Sequence, residues 1–192
     1  IHAGTITLAT KSRGPNASSA KVKRIFTSSS TPEYANGLPV TSKARTVVDC
    51  GLSVDFRFAL PIIDSALRNG VAITDILNVC STMRRDCTPI FRLLHYANPA
   101  SENGGESLGR GTIIAGGLLA PELQQNITDP QTGALYRVDF LWRLPENRLI
   151  VGEFDGYEKY VNPDMNDRKG VRGAVQAEKE RETALYRAKV DT

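Results

Sequence analysis

The sequence predicts an α/β protein, and three observations lead to this prediction. Residues 136–142 and 148–156 are neighbouring stretches rich in β-branched and aromatic residues, and the connector between them carries the Pro and Asn of a hairpin turn. Residues 40–100 instead place apolar residues at helical spacing behind capping residues. The chain from Ala174 to Lys189 has the dense alternating charge of an exposed helix. We therefore expect paired strands packed against helices.

Length and composition are those of an ordinary globular protein. The chain has 192 residues, of which 41% are hydrophobic and 23% charged, so it holds one domain or two small ones. We place the boundary between residues 1–100 and 101–192. No apolar run of about 18 residues and no secretory start is present, which predicts neither a membrane span nor export and favours a cytoplasmic location.

The cysteine count and the distribution of charge further restrict the kinds of protein that fit this sequence. Three cysteines without a CxxC pair favour reduced thiols and make a zinc site unexpected. Residues 1–50 hold seven basic against two acidic residues, a net charge of +5, so that the rest of the chain carries −2. This asymmetry suits a phosphate-holding part beside a metal-holding part, although a solvated charged face would look the same.

The first 50 residues begin with two predicted strands. Thr5–Thr10 alternates in polarity, and Lys21–Thr27 does so again. The segment between them is rich in Ser, Gly, Pro and Asn and reads as a loop, as do residues 28–37. The two strands would form a small β element with basic loops, for which a hairpin is one arrangement.

The middle of the chain predicts a compact helical unit. Thr41 or Ser42 would cap a helix that ends near Gly51, and a longer helix follows over about residues 54–69 with Gly70 after it. Pro61 should kink that helix or mark its true start. Two further helices are predicted, one capped by Thr74 with Asp75 and running to about Met83, the other capped by Thr88-Pro89 and running to about Tyr96.

A glycine-rich helix and a strand follow. Residues 102–117 are predicted to be helical, with Ser101 as the cap. Glu106 and Arg110 are four residues apart and could pair along the helix, while the glycines would allow close approach to a neighbour or a phosphate. Pro121–Ile127 is expected to be a strand that leads through a turn into the hairpin.

Three carboxylates on the predicted hairpin are its most informative residues. Asp139, Glu153 and Asp155 lie in strands that are otherwise apolar enough to be core, and a buried carboxylate is costly unless it is paired or binds a metal. Oxygen ligands of this kind suit Mg²⁺ or Mn²⁺. The structural alternative is that the acids pair with nearby arginines such as Arg137 or Arg148.

The order of these elements resembles the core of the restriction-endonuclease-like PD-(D/E)XK superfamily. Within that superfamily the sequence looks most like the very-short-patch-repair-like endonuclease domain of actinobacterial proteins related to AbiEi-type antitoxins. The resemblance implies a mixed sheet flanked by helices, preceded here by the small β and helical part. The matching segments are residues 37–49, 64–68, 106–110, 117–124, 138–142, 153–159 and 178–181.

The resemblance also implies a catalytic centre. Asp139 and Glu153 would bind Mg²⁺ or Mn²⁺, and Glu106 or Asp155 would complete the shell. The superfamily lysine position is occupied by Asp155, so the positive charge must come from elsewhere, with Lys159 as the nearest candidate and Lys179 on the next helix as another. Such relatives usually carry an upstream winged helix and a strand beyond the last helix, and from the sequence we expect neither here.

Two functional hypotheses follow. The leading one is a bacterial, metal-dependent endodeoxyribonuclease that hydrolyses DNA in phage defence or repair, with Arg110, Lys21, Lys23 and Arg24 as candidate phosphate contacts. The alternative is a catalytically inactive nuclease fold that acts in a toxin–antitoxin system as a repressor and binds DNA or a toxin partner. The missing lysine favours the second hypothesis, and the presence of Glu106, Asp139 and Glu153 together favours the first.

Overall fold

The computed structural model of the chain describes residues 6–10, 22–26, 31–154, 168–188 and 190–191. Within these residues it contains six α-helices, one short 3₁₀ helix and eight strands in three sheets. The predicted α/β class is confirmed. None of the described helices combines the length and apolar character that a membrane crossing requires.

The first two strands form a sheet of their own. β1 (Ile6–Thr10) and β2 (Val22–Phe26) lie close to the predicted positions and pair in parallel, Ile6 opposite Val22 and Thr10 opposite Phe26. A tight turn cannot join parallel strands, so the hairpin interpretation is wrong.

A short antiparallel hairpin was missed by the sequence interpretation. β3 (Glu33–Ala35) pairs with β4 (Leu38–Val40), and Asn36 and Gly37 between them both have positive φ, 51° and 77°. An Asn-Gly pair with two positive φ angles matches the twist of a two-residue hairpin. All residues of this hairpin are exposed, so the sequence has no alternation of apolar and polar residues that would predict these strands.

The helical unit begins as predicted. The Ser42 hydroxyl caps α1 (Lys43–Gly51) by accepting from the backbone N–H of Arg45 at 3.2 Å. Helix α2 (Phe56–Arg68) runs through Pro61, and Gly70 follows its end with a φ of 81°. Pro61 is therefore not the helix start. Because it has no N–H, the carbonyl four residues earlier, at Arg57, lacks a helical donor.

The next two helices have the predicted extents but different caps. Helix α3 (Ile73–Thr82) follows Ala72, and α4 (Thr88–Tyr96) follows Cys87, in both cases without a side-chain cap. The capping roles expected for Thr74 with Asp75, and for Thr88, are wrong. Thr88 is instead the first residue of α4, and its N–H donates to the Asp86 carboxylate at 2.9 Å.

The helices enclose one apolar core. Its buried residues come from α1 to α4, from Cys87 before α4, and from Ile114 on α5 (Gly104–Ala115). Asn103, not Ser101, caps α5. Burying this many aliphatic side chains, each contributing about 1.5–3 kcal/mol, stabilises the unit. The fully buried aliphatic members are Val48, Ala59, Leu60, Ile63, Ile76, Ile90 and Leu93.

A four-stranded mixed sheet follows, in the order β5 (Glu122–Thr128), β6 (Leu135–Leu144), β7 (Arg148–Gly152) and β8 (Val190–Asp191). The first three strands are antiparallel, and β8, which follows α6 (Arg168–Arg187), is parallel to β7. The expectation that a strand beyond the last helix is absent is therefore wrong. The sheet and α6 share a second core of Ile127, Val138, Leu141, Leu185 and Val190.

Helix α5 packs against α2 on one side and lies close to the Phe140 ring of the sheet on another. Its Gly111 lies against α2, where an added Cβ would be 3.0 Å from the Arg57 carbonyl oxygen that Pro61 leaves without a helical donor. Its Gly109 faces the sheet, where a Cβ would lie 3.8 Å from the Phe140 ring. The glycines therefore allow the close approach to neighbours that the sequence predicted, and they fix α5 beside the sheet.

Candidate functional site

Glu106, Asp139 and Glu153, the three acids that the resemblance selected, are held in one network. Glu106 lies in the first turn of α5, Asp139 in β6, and Glu153 directly after β7. A fourth residue, Gln124 of β5, bonds to Glu106 and Asp139. We call Glu106, Gln124, Asp139 and Glu153 the acidic site. Asp155 and Lys159 lie outside the described residues.

Glu106 is fixed by the N-terminus of its own helix. Its carboxylate accepts from the Asn103 amide at 2.6 Å and from the Glu102 backbone N–H at 2.8 Å. The Asn103 side-chain oxygen accepts in turn from the Glu106 N–H at 3.0 Å. This arrangement resembles a capping box, except that Glu106 accepts from the Asn103 side chain and from the N–H one residue before the cap. The helix dipole also favours its negative charge. Glu106 is only 4% exposed, so its orientation is set before any ligand arrives.

Gln124 joins the helix acid to the strand acid. Its amide nitrogen lies 3.2 Å from Glu106 Oε2 and 3.2 Å from Asp139 Oδ1. Its φ is 52°, a left-handed conformation that costs a non-glycine residue about 1–2 kcal/mol. The β5–β6 ladder pairs Leu123 with Phe140 and Gln125 with Val138, but it skips Gln124. The strand backbone is thus distorted where the amide enters the site.

Asp139 is oriented from its other side by the chain after β7. Its Oδ2 accepts the Phe154 backbone N–H at 2.9 Å. The Phe154 ring packs on the first turn of α5, where a Cβ on Gly105 would collide with it. Both oxygens of Asp139 therefore have defined partners, and α5, β5 and β6 meet at this point with the end of β7.

Glu153 pairs with an arginine from the last helix. The Arg181 guanidinium donates to Glu153 Oε1 and, at 3.2 Å, to the Arg137 backbone carbonyl. Partial burial raises the pKa of Glu153 above its usual value, and the neighbouring Asp139 carboxylate raises it further, whereas Arg181 lowers it. Glu153 therefore lies close enough to both Asp139 and Arg181 for their charges to act on it.

The oxygen donors of the acidic site are of the kind that a hard divalent cation selects. Their arrangement is looser than a finished metal site, because no three acidic, histidine or cysteine side chains of the described residues converge on one point. The Gln124 NH₂ group lies between Glu106 and Asp139. Its amide oxygen is buried and has no hydrogen-bond partner in the described part of the chain. The Asp139 and Glu153 carboxylates are close enough that the charge of Asp139 raises the pKa of Glu153.

The predicted phosphate contacts differ in burial and in how far the structure describes them. Arg110 is 3% exposed and ion-pairs with Asp64 at 2.6 Å instead of with Glu106, and its contact with a phosphate stays a prediction. Arg24 is exposed on β2, and Lys23 lies on the same strand. Lys21 falls outside the described residues. Among the described residues, the structure gathers the three acids, while Arg110 pairs with Asp64 instead.

The interpretation of the sequence missed three site residues. Asn103 stands three residues before Glu106, a spacing that is typical of a capping box and could have identified it. Gln124 was expected on β5, but no local signal indicated its left-handed backbone. Arg181 pairs with Glu153 over 28 residues of sequence, which no short-range pattern can predict.

The fold is mixed α/β with a four-stranded sheet. At the site, helix α5 brings one carboxylate close to the acids at the sheet. Two curated Mycobacterium tuberculosis proteins are similar to this chain, the uncharacterized protein MT2308 of strain CDC 1551 / Oshkosh and the uncharacterized protein Rv2248 of strain ATCC 25618 / H37Rv. Each is 33% identical over 134 residues, which is 68% of this chain and 48% of the relative. The chain thus spans about half the length of these relatives. No family model and no solved structure matches it.

Proposed function

We propose that the protein is a metal-dependent endodeoxyribonuclease of the PD-(D/E)XK type, which hydrolyses phosphodiester bonds in DNA. The observation that carries the proposal is the network of Glu106, Gln124, Asp139 and Glu153. It joins acids from a helix, a strand and the residue after the next strand. The chain runs in the order α5, β5, β6, β7, α6, β8, and the four strands form one mixed sheet. This order supports the proposal.

Different residues of the chain would hold the cation and stabilise the developing charge. A bound Mg²⁺ or Mn²⁺ supplies Lewis-acid stabilisation of the scissile phosphate and a more acidic water. Asp139 and Glu153 would hold the cation, while the Phe154 N–H keeps Asp139 in one orientation. Arg181 already contacts Glu153, and it would provide the positive charge that the superfamily takes from a lysine at the position of Asp155.

A cleavage assay with matched variants tests this proposal. Supercoiled plasmid is incubated with Mg²⁺ or Mn²⁺ and with the wild type, Asp139→Asn, Glu153→Gln or Glu122→Gln. Glu122 is the control, since it lies on β5 but pairs with Arg143 at 3.1 Å, away from the acidic site. We expect a loss of activity on the order of 100-fold or more in the first two variants and none in the third. Equal cleavage by all four proteins would reject the assignment.

A second candidate is the catalytically inactive regulator, a repressor of the antitoxin type that binds DNA or a toxin. One observation favours it: each acid already has a partner from the chain, since Arg181 pairs with Glu153, and Asn103 and Gln124 bond to Glu106. Satisfied carboxylates can be structural. Under this hypothesis, the fold is a scaffold and its surface carries the function.

DNA affinity in rising salt separates the two candidates. A regulator that binds through basic residues would show salt-sensitive binding of a labelled duplex without cleavage, and Arg24→Ala would weaken it. Arg143→Ala on the central sheet serves as the control, because Arg143 pairs with Glu122. Cleavage that disappears in Asp139→Asn would instead establish the nuclease.

A further inference from the structure

A pocket opens in the helical unit between the start of α2 and the start of α4. Its volume is about 420 Å³, within the range of about 300–1,000 Å³ that is typical of small-molecule sites. Its apolar lining comes from Gly51, Val54, Phe56, Pro89 and Leu93. Leu93 is 1% exposed and belongs to the apolar core, so the floor of the pocket is part of the close-packed interior. We call this cavity the helical pocket.

A positive charge lies at one wall of the helical pocket. The Arg92 guanidinium lies over the Phe56 ring, with 4.4 Å between Cζ and the ring centroid, and Tyr96 contacts the same ring edge-on at a centroid distance of 5.7 Å. Within the described residues, Arg92 forms no ion pair. Stacking therefore holds the guanidinium in place and leaves its N–H donors open to a ligand.

Two carboxylates line the same pocket. Asp55 precedes the first residue of α2, and its side chain makes no capping hydrogen bond there. Asp86 accepts the Thr88 N–H at 2.9 Å and the Thr88 hydroxyl at 2.7 Å, both at Oδ1, so its Oδ2 has no hydrogen-bond partner in the described part of the chain. The Thr88 N–H, helped by the hydroxyl, holds the pKa of Asp86 below its ordinary value of 3.8. Asp86 is therefore charged at neutral pH.

We propose that the helical pocket binds a free α-amino acid with an apolar side chain. The carboxylate of the ligand pairs with Arg92, its ammonium group pairs with Asp55 and Asp86, and its side chain covers the apolar floor. Charge complementarity selects this class of ligand. An anion would face two carboxylates and a cation would face the guanidinium, whereas a zwitterion pairs with both signs. A wholly apolar ligand would remove water from the charged groups without replacing its hydrogen bonds.

This inference is independent of the proposed nuclease activity, because the lining of the helical pocket includes no residue of the acidic site. The pocket lies in the part of the chain that the four helices of the helical unit build. It gives that unit a binding role of its own.

Titration of the wild type with L-phenylalanine and with L-leucine tests the proposal, followed by ¹H–¹⁵N spectra of the backbone. We expect at least one of the two to give saturable shifts of the Phe56 and Arg92 signals, with a Kd of about 1 mM or tighter. The signal of Asp139, in the acidic site, should stay in place. A folded wild type that shows no saturable shift with either amino acid at about 10 mM would reject the proposal.

Two analogues of the amino acid that binds test whether both charges are recognised. The N-acetyl derivative lacks the ammonium group, and the C-terminal amide lacks the carboxylate, while each keeps the apolar side chain. We expect both analogues to bind at least about 10-fold more weakly than the parent amino acid, because each leaves one charged group of the pocket without its partner. Equal binding of either analogue would overturn the zwitterion assignment.

Matched variants locate the binding site. Arg92→Gln should weaken binding of the amino acid about 10-fold and remove its preference over the amide, and Asp55→Asn should reduce its preference over the N-acetyl derivative. Asparagine is as good a residue as aspartate before a helix, so the start of α2 is retained. Arg84→Gln is the control, because Arg84 is exposed and does not line the pocket.

Equal affinity in the wild type and all three variants would place the binding elsewhere and reject the helical pocket. Circular dichroism and thermal unfolding establish that each variant is folded before titration. Rejection here would leave the nuclease proposal standing, since plasmid cleavage is measured without any amino acid.

Discussion

Asp64 and Arg110 form an ion pair inside the helical core, with 2.6 Å between Oδ2 and Nη2 and with side chains that are 0% and 4% exposed. Asp64 also accepts the Asn98 backbone N–H at 2.8 Å, and Arg110 donates to the Tyr96 carbonyl. The pair ties α2 and the end of α4 to α5. Since Arg110 lies one turn after Glu106, this contact also sets the angle at which α5 presents Glu106 to the sheet.

Removing one member of this pair should be strongly destabilising. Asp64→Ala leaves the Arg110 charge buried without its partner, and we expect a loss of about 3–5 kcal/mol in the free energy of unfolding. Glu122→Ala breaks the pair with Arg143, whose side chains are about half exposed, and should cost less than about 1 kcal/mol. Urea denaturation measures both. Similar losses in the two variants would contradict the buried role of Asp64.

The contact between α5 and α2 predicts opposite effects for two glycines on one helix. Gly111→Ala places a Cβ 3.0 Å from the Arg57 backbone, so the helices must separate, and we expect a loss of about 1–3 kcal/mol. Gly104→Ala meets nothing within 4 Å and should be neutral or stabilise by up to about 1 kcal/mol. Thermal unfolding compares the two. Tolerance of Gly111→Ala would mean that the helices are further apart.

The lowered pKa of Asp129 predicts that the protein loses stability in acid. The Gln131 backbone N–H holds the pKa of this carboxyl below its ordinary value of 3.8, helped by the Thr132 hydroxyl and by Arg187, while burial opposes them. The folded state favours the charged form, so the stabilising contribution is present above pH 3.8 and is lost as the pH falls below that value. The wild type should therefore exceed Asp129→Asn in stability at neutral pH.

Urea titrations of both proteins from pH 7 down to about pH 3 check this prediction. The difference in unfolding free energy between the wild type and Asp129→Asn should shrink as the pH falls. A constant difference across this range would show that the carboxylate charge makes no contribution.

The raised pKa of Cys80 predicts the opposite pH dependence of stability, a loss at alkaline pH. Burial raises the pKa of this thiol from 9.0 to about 12, with a further contribution from the neighbouring Cys87 thiol. A raised pKa means that the contribution to stability is complete below pH 9.0 and is lost as the pH rises towards 12. From pH 8 to about pH 11 the wild type should lose more unfolding free energy than Cys80→Ala.

Labelling provides an independent check on Cys80. Thiolates are the reactive form, so a buried thiol with a raised pKa should react slowly with iodoacetamide at pH 8 in the folded protein and quickly after denaturation. Mass spectrometry of tryptic peptides identifies the labelled cysteine. Rapid labelling of Cys80 in the folded state would contradict its burial.

Local patterns predicted most of the elements. Helical spacing and the Ser42 cap indicated α1, and the β-branched stretches indicated β6 and β7, because these signals depend on neighbours within a few residues. Where exposed residues carry no pattern, as in the β3–β4 hairpin, the prediction failed. The caps of α3 and α4 were wrong because the backbone enters each helix one or two residues earlier than the candidate caps.

The candidate site could be predicted in part. Glu106, Asp139 and Glu153 were named from their order and their apolar surroundings, yet their partners were not. The helical spacing of Glu106 and Arg110 allowed a local pair, but burial makes the Asp64 carboxylate, 46 residues away, the better partner for Arg110. A surface pair four residues apart contributes only about 0.3–0.5 kcal/mol, which packing easily overrides.

The sequence by itself determined most of the elements and their order, since periodicity and capping act over one or two turns of chain, and its resemblance to a known superfamily named the three acids. Only the tertiary structure decided which groups meet. It placed Arg181 on Glu153 and gave Gln124 the left-handed backbone that brings its amide between Glu106 and Asp139. The physical reason is that a buried polar group takes whichever partner the packed core brings within reach, and this depends on residues far apart in the chain.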